Sequence, residues 1–407
     1  MNLKKIFIYC MMSLFLLNLN SECQSKSLTA MNTFYGIELL KDSFGNNQTF
    51  YRFGVQPEFK IAEWRIGLDF QFFIDEDGNF RKNSIEDKST FLDYFNFIKY
   101  RQKKDRMFIR VGFIEDITFG NGSIVRNYSN KVRYPQESKK NGLYFHKKNK
   151  FDDGIEFFVN NIDNVKVFGG RVFIVPVDDV TIGAGFAVDK DPDNNPLTSD
   201  KLEIYGVDFS TPLFRGISKK LLLFEDFTRV KHFGDCFASG LKYDSGFRSK
   251  FRIEYRNYDS DYIPGMISQF YEIEKSGKYA DIQYFSTIKK SVKSINIAAE
   301  YKLLDIAEFE LDFEEFNSFD IHPTLKLKVN LNEELLNGIS VCWEYVNKDA
   351  DWSDFASITD NKNVFTILSF NMVTGKGADF TVSRKRTVDE FGNTEHLISF
   401  SSGFKVK

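Results

Sequence analysis

Apolar and polar residues alternate with a period of two along residues 64–73. Trp64, Ile66, Leu68, Phe70 and Phe72 fall on one face of an extended chain, and Arg65, Gly67, Asp69 and Gln71 on the other. The same pattern returns far downstream. Phe251, Ile253 and Tyr255 oppose Arg252, Glu254 and Arg256; Phe309, Leu311 and Phe313 oppose Glu308, Glu310, Asp312 and Glu314. Leu325, Leu327 and Val329 oppose Lys326 and Lys328. Read along the chain, the alternation predicts strands at 33–41, 49–59, 63–74, 91–102, 107–116, 139–148, 151–160, 165–176, 180–188, 201–213 and 219–230. Further strands are predicted at 236–245, 248–259, 279–289, 293–304, 307–316, 323–331, 338–348, 363–374, 378–388 and 395–407. Residues 263–277 suit a short helix inside one long connection.

So many strands with one apolar and one charged face need a closed or stacked architecture. The connections choose between the two. In an up-and-down barrel the long loops leave from one rim and the short turns from the other, so an even number of strands separates successive long loops. Long connections fall at 75–90, 117–138, 189–200, 260–278 and 349–362. Two, four, four and then five strands lie between them. The odd interval places one strand too many, or one too few, between 279 and 348. The expected fold is therefore all-β: a single transmembrane antiparallel up-and-down β-barrel of about 18–20 strands.

The N-terminus carries Lys4 and Lys5 ahead of a mainly apolar run, Ile6 to Leu19, with Ser21 and Cys23 at the small positions of a cleavage site. That run is short for a bilayer span and reads as a secretory signal peptide over 1–23, ahead of a barrel domain over 24–407. Lipidation of Cys23 is the alternative, opposed by Glu22 where a small residue is wanted. A net charge of −3 gives no support for nucleic-acid binding. Mean hydropathy is −0.33, which a barrel with a polar lumen shares with a soluble protein. Aromatic residues make up 16% of the chain, as the interfacial girdles of a membrane barrel require. Beyond the signal only Cys236 and Cys342 remain, too few for a disulfide-stapled scaffold.

The chemistry-bearing residues are sparse. His146, His232, His322 and His396 lack metal-ligand spacing, and Gly120-Asn121-Gly122 is not followed by the helix of a phosphate-binding loop. No catalytic constellation, metal site or cofactor is expected. The charged faces are the informative feature: Arg65, Asp69, Arg252, Glu254, Arg256, Glu310, Asp312, Lys326 and Lys328 are pore-lining candidates. If their strands pair directly, the acidic comb 308–314 lies beside the basic pair Lys326 and Lys328. The least strand-like long stretch, 117–136, supplies candidates for a constriction loop: Arg126, Asn127, Tyr128, Lys131 and Arg133.

Alternating strands, loop parity, aromatic load and signal segment together resemble bacterial outer-membrane β-barrels of the porin-like kind, over residues 33 to 407. The resemblance implies an integral outer-membrane location and a channel for passive passage of small polar solutes. The implied partners are outer-membrane lipid, the solutes, the barrel-assembly machinery and, for an oligomer, further copies of the chain. Two alternatives stand beside it: a FadL-like transporter of apolar molecules, and an exported soluble or surface β protein such as an adhesin. The chain departs from the pattern at its end, Phe404-Lys405-Val406-Lys407, where such barrels carry a terminal aromatic.

Overall fold

The structure is a computed structural model that describes residues 28–41, 47–79, 94–130, 140–195, 197–246, 248–259, 267–269, 271–288, 291–317, 323–336, 338–347, 364–373, 378–388 and 394–405. The strands are β1 (Leu28–Lys41), β2 (Asn47–Ile61), β3 (Trp64–Leu68), β4 (Phe70–Asp75), β5 (Phe95–Tyr100), β6 (Met107–Gly112), β7 (Gly142–Lys148), β8 (Gly154–Val159), β9 (Val167–Val177) and β10 (Val180–Asp189). They continue as β11 (Leu202–Arg215), β12 (Lys220–Val230), β13 (Gly234–Asp244), β14 (Ser249–Tyr258), β15 (Val292–Leu303), β16 (Ala307–Phe316), β17 (Thr324–Leu331), β18 (Ile339–Asn347), β19 (Val364–Val373), β20 (Ala378–Val388) and β21 (Thr394–Lys405). One helix, α1 (Tyr271–Ile288), separates β14 from β15.

β3 and β4 are two halves of one span. The break falls at Asp69, whose amide donates to the carbonyl of Tyr94 at 2.8 Å. The 21 labelled segments therefore make 20 passes, each antiparallel to the next. β21 pairs back onto β1, from Ala30↔Lys405 to Ile37↔Ile398, so the ladder returns to its first strand. A ring of this kind satisfies backbone groups between strands without relying on water, the condition for crossing hydrocarbon.

Every predicted strand but one is present. The exception, 279–289, lies almost wholly within α1: Tyr271, Lys275 and Tyr279 are buried at four-residue spacing, the signature of a helix face. The helix expected over 263–277 overlaps α1 from Tyr271 on, and α1 continues to Ile288; residues 263–266 lie outside the described residues. With the false strand removed, four strands (β15 to β18) separate the connection after β14 from that after β18. Long connections then all leave from one rim, and the odd interval disappears. The signal segment lies outside the described residues.

The two faces follow the alternation. On β12 to β16, Phe227, Phe237, Phe251, Ile253, Tyr255, Ile295, Tyr301 and Phe309 point outward and are exposed, while Asp226, Glu254, Arg256, Asn296 and Glu314 point inward and are buried. An apolar band around a closed ring with charge inside is the solution for a barrel whose solvent is lipid. The principal core lies inside the ring. Phe158, Val167, Leu202, Ile204, Val230, Tyr258 and Val292 turn their side chains inward near the long-loop rim. There they pack on Ile114, Ile117, Phe119, Val125 and Tyr128 of the segment that follows β6.

Candidate functional site

Residues 113–130 enter the lumen and return. Ile117 and Tyr128 form an antiparallel bridge at the neck of this hairpin-like segment, and Val125 bridges Ile267 ahead of α1. At the base, Asn130 accepts from the amide of Ile114 at 2.8 Å and donates to the carbonyl of Asn160 at 2.9 Å. A buried asparagine meeting two strand ends in this way fixes the angle at which the segment enters.

The tip is held by charge and amide contacts to the far wall. Asn121 donates to Asp226 of β12 at 2.7 Å, and Ser123 donates to the other oxygen of the same carboxylate. Arg126 donates to Asp312 of β16 at 2.9 Å and to the amide oxygen of Asn296 on β15 at 3.1 Å; Glu254 of β14 lies 3.9 Å away. One guanidinium thus spans three adjacent strands, a use for which its planar fork is suited. Behind Glu254, Arg252 reaches it at 2.5 Å and Arg256 at 2.8 Å, and Arg256 also reaches Glu314 at 2.8 Å.

Glycines make room for the tip. Gly120 has φ +55°, in the left-handed region, and any Cβ there would lie 2.6 Å from the Asp208 carboxylate. On β11, a Cβ at Gly206 would lie 2.8 Å from the Phe227 carbonyl and 3.0 Å from Ile124. Gly206→Val is therefore expected to unseat Ile124 and cost roughly 1–3 kcal/mol through overpacking. Faster proteolysis of the inward segment, with heat-modifiable gel mobility unchanged, is the measurement that checks this.

Helix α1 caps the same assembly from the long-loop side. Tyr271 donates to Asp189 at 2.9 Å, and Lys275 reaches Asp189 at 3.3 Å and the Asp191 carbonyl at 2.6 Å. Glu272 accepts from Tyr128, from Lys140 at 2.5 Å and from Asn160 at 3.2 Å. Burial pushes the Glu272 carboxyl up, but the Lys140 ammonium and the donated hydrogen bonds outweigh it and hold its pKa below the ordinary glutamate value. A carboxyl depressed on folding stabilises above its unfolded pKa and loses that contribution as pH falls through the folded one. Anchoring of α1 is therefore expected to be intact at neutral pH and to weaken below the ordinary glutamate pKa of 4.5. Proteolysis of the helix across that range checks it, and Glu272→Gln should reduce the pH dependence to what Asp189, the other carboxylate holding α1, contributes.

Beneath the segment lies a cavity of about 410 Å³ reaching towards the short-turn ends of β12, β13 and β14. Thr118, Arg126 and Asn127 line it from the segment, and Lys220, Lys242, Lys250, Arg252, Lys326, Asp244, Glu300, Glu310 and Asp312 from the wall. Six cationic side chains face four carboxylates.

The sequence candidates distribute unevenly over this geometry. Arg126, Arg252, Glu310, Asp312 and Lys326 line the cavity, and Asn127 joins them with its backbone pinned by Thr118 at 2.9 Å. Glu254 and Arg256 are buried behind it. β16 and β17 do pair directly, with Glu310↔Lys328 and Asp312↔Lys326 in register, and Lys328 reaches Glu310 at 2.9 Å. Asp69 accepts from Gln56 and Gln71 at 2.9 and 2.6 Å. Arg65 pairs with Glu58 next to the turn joining β2 and β3. Tyr128 does not face the cavity: it is fully buried against Phe158, with its hydroxyl on Glu272. Lys131 and Arg133 lie outside the described residues. His146 sits on β7, its Nε2 2.7 Å from the Asp105 carbonyl and its ring stacked on Phe108.

Sequence reading missed Asn121, Ser123, Asp226 and Lys242. A signal for them existed in Gly183, Gly185 and Gly206. These glycines sit at inward positions of adjacent strands, marking a wall that another backbone approaches.

A returning ladder of 20 antiparallel passes, apolar outside and charged within, defines an integral outer-membrane β-barrel of the porin-like kind. No family model and no curated protein matches the chain. Among solved structures it is similar to OccK3 (OpdO) of Pseudomonas aeruginosa, at 11% identity and TM-score 0.39, covering 93% of this chain and 94% of that one. It is also similar to a BenF-like porin of Pseudomonas fluorescens, at 7% identity and TM-score 0.38, covering 93% and 97%. A third is Wzi of Escherichia coli, an outer membrane protein involved in group 1 capsule assembly and a carbohydrate-binding β-barrel. It matches at 10% identity and TM-score 0.38, covering 96% and 87%.

Proposed function

We propose that this barrel is a channel for passive passage of small polar solutes, with the segment 113–130 as its constriction. The observation that carries the reading is the cavity beneath that segment, where ten of the eighteen lining residues are charged, six cationic and four anionic. Fixed charges of opposite sign across a water-filled constriction orient polar solutes and disfavour apolar ones. A transporter of apolar molecules would need the reverse, a lumen whose accessible wall is hydrophobic. Here the inward apolar residues near the long-loop rim pack against the segment and α1, and Leu222 and Ala298 stand in the cavity among its charged groups.

Liposome swelling tests the reading. Proteoliposomes carrying the folded barrel should admit a pentose faster than a disaccharide, and both faster than protein-free vesicles. Swelling at the protein-free rate for every solute would remove the channel and leave the barrel without a transport role.

A further inference from the structure

Five of the six cavity cations have a carboxylate within 4 Å: Arg126 on Asp312 at 2.9 Å, Arg252 on Glu254 at 2.5 Å, Lys250 on Glu300 at 2.7 Å, Lys220 on Asp179 at 2.6 Å, and Lys326 more loosely on Glu344 at 3.8 Å. Lys242 is the exception. Its ammonium donates to the amide oxygen of Asn121 at 2.7 Å, and among the described residues no carboxylate lies within ion-pair distance. The amide nitrogen of Asn121 in turn donates to Asp226, which also accepts from Ser123.

The aromatic floor gathers two of these cations on one face. Phe224 is fully buried and carries two cations on its ring, Lys242 at 4.6 Å and Arg252 at 4.7 Å from the centroid. A ring face attracts cations through its quadrupole and places no counter-charge on them. An ammonium has three donors. Lys242 spends one on Asn121 and faces the open cavity, where a solute can supply the missing charge.

We infer that Lys242 is the binding group for a small anionic solute, a carboxylate or a phosphate, held in the cavity beneath the segment. The inference rests on the reading of this lumen as a solute path and names the class of solute that it favours. The anion replaces water at Lys242, with the loosely paired Lys326 and the guanidinium of Arg252 adding to the field. Arg126 stays on Asp312, so the segment need not move for the anion to bind.

Calorimetry on the folded, detergent-solubilised barrel tests this, with succinate, inorganic phosphate and glucose as probes. Saturable binding of succinate alone assigns a carboxylate site, of phosphate alone a phosphate site, and of both a site for small anions generally. In each case Lys242→Gln should bind at least tenfold more weakly, and Lys242→Arg should retain binding. No saturation by either anion overturns the inference, as does undiminished binding by folded Lys242→Gln or glucose binding as tight as that of the anions. Should Lys242→Gln fail to fold, the unaltered protein still decides. Saturating succinate or phosphate should protect the Lys242 peptide from acetylation, and equal labelling with and without them overturns the proposal. Swelling assays separate the two readings. Lys242-dependent binding in an impermeable barrel removes the channel and keeps the anion site, whereas a permeable barrel without binding does the opposite.

Discussion

Ile253→Arg is expected to destabilise the barrel by roughly 2–4 kcal/mol, the cost of a basic side chain near the midplane of a barrel's lipid face. Ile253 stands on the regular part of the ladder, opposite Leu241 on β13 and Ile297 on β15, and its side chain is exposed on the outer surface. Gln71→Arg makes the matched comparison. Gln71 donates to Asp69 inside the ring, and a guanidinium there gains a carboxylate partner. Urea unfolding in lipid vesicles should show the large loss at Ile253 and almost none at Gln71. A larger loss at Gln71 would mean that inside and outside are the reverse of those described.

The second large effect is expected at Arg126. Arg126→Ala removes the contacts to Asp312 and Asn296 and the nearby countercharge for Glu254. A hydrogen bond to a charged group is worth about 1.5–3 kcal/mol. The tip then keeps the Asn121 and Ser123 contacts to Asp226, the Asn121 contacts to Phe209 and Lys242, and the Val125 bridge to Ile267, but loses its ties to β14, β15 and β16. The barrel wall is unaffected, so heat-modifiable mobility should be that of the unaltered chain. What changes is the constriction: single-channel conductance should rise severalfold and become noisy as the segment leaves the wall. Conductance equal to that of the unaltered chain would show that Arg126 does not hold the narrowing.

How much of this was legible in the residues depends on which forces shape each part. Strands facing lipid on one side and water on the other write their geometry into every second residue, so β11 to β18 follow from the alternation alone. Residues 279–289 misled because Ile282, Tyr284 and Ile288 also fit a period of two, while the buried positions Tyr271, Lys275 and Tyr279 follow the helical one. Loop parity exposed the error without saying which strand to remove.

The lumen was harder to read. A polar inner face was expected along each whole strand, yet near the long-loop rim Leu202, Ile204, Val230 and Val292 turn inward as apolar side chains. They do so because the inward segment and α1 give them something dry to pack on, and that packing partner lies in a different part of the sequence. The same holds for Asn121 and Asp226, 105 residues apart. Only the closed ring brings them together. Arg126 and Asn127 stood out as loop residues with polar function, whereas Lys242 looks like any other alternate lysine until its neighbours are found to be paired.

The most direct test of the whole account is planar-bilayer recording on the unaltered, folded chain. The account predicts discrete, long-lived conductance steps, severalfold smaller than those of Arg126→Ala, because the proposed channel runs through the ring of 20 passes and is narrowed by residues 113–130. A folded, membrane-inserted barrel that stayed electrically silent, both as the unaltered chain and as Arg126→Ala, would contradict it.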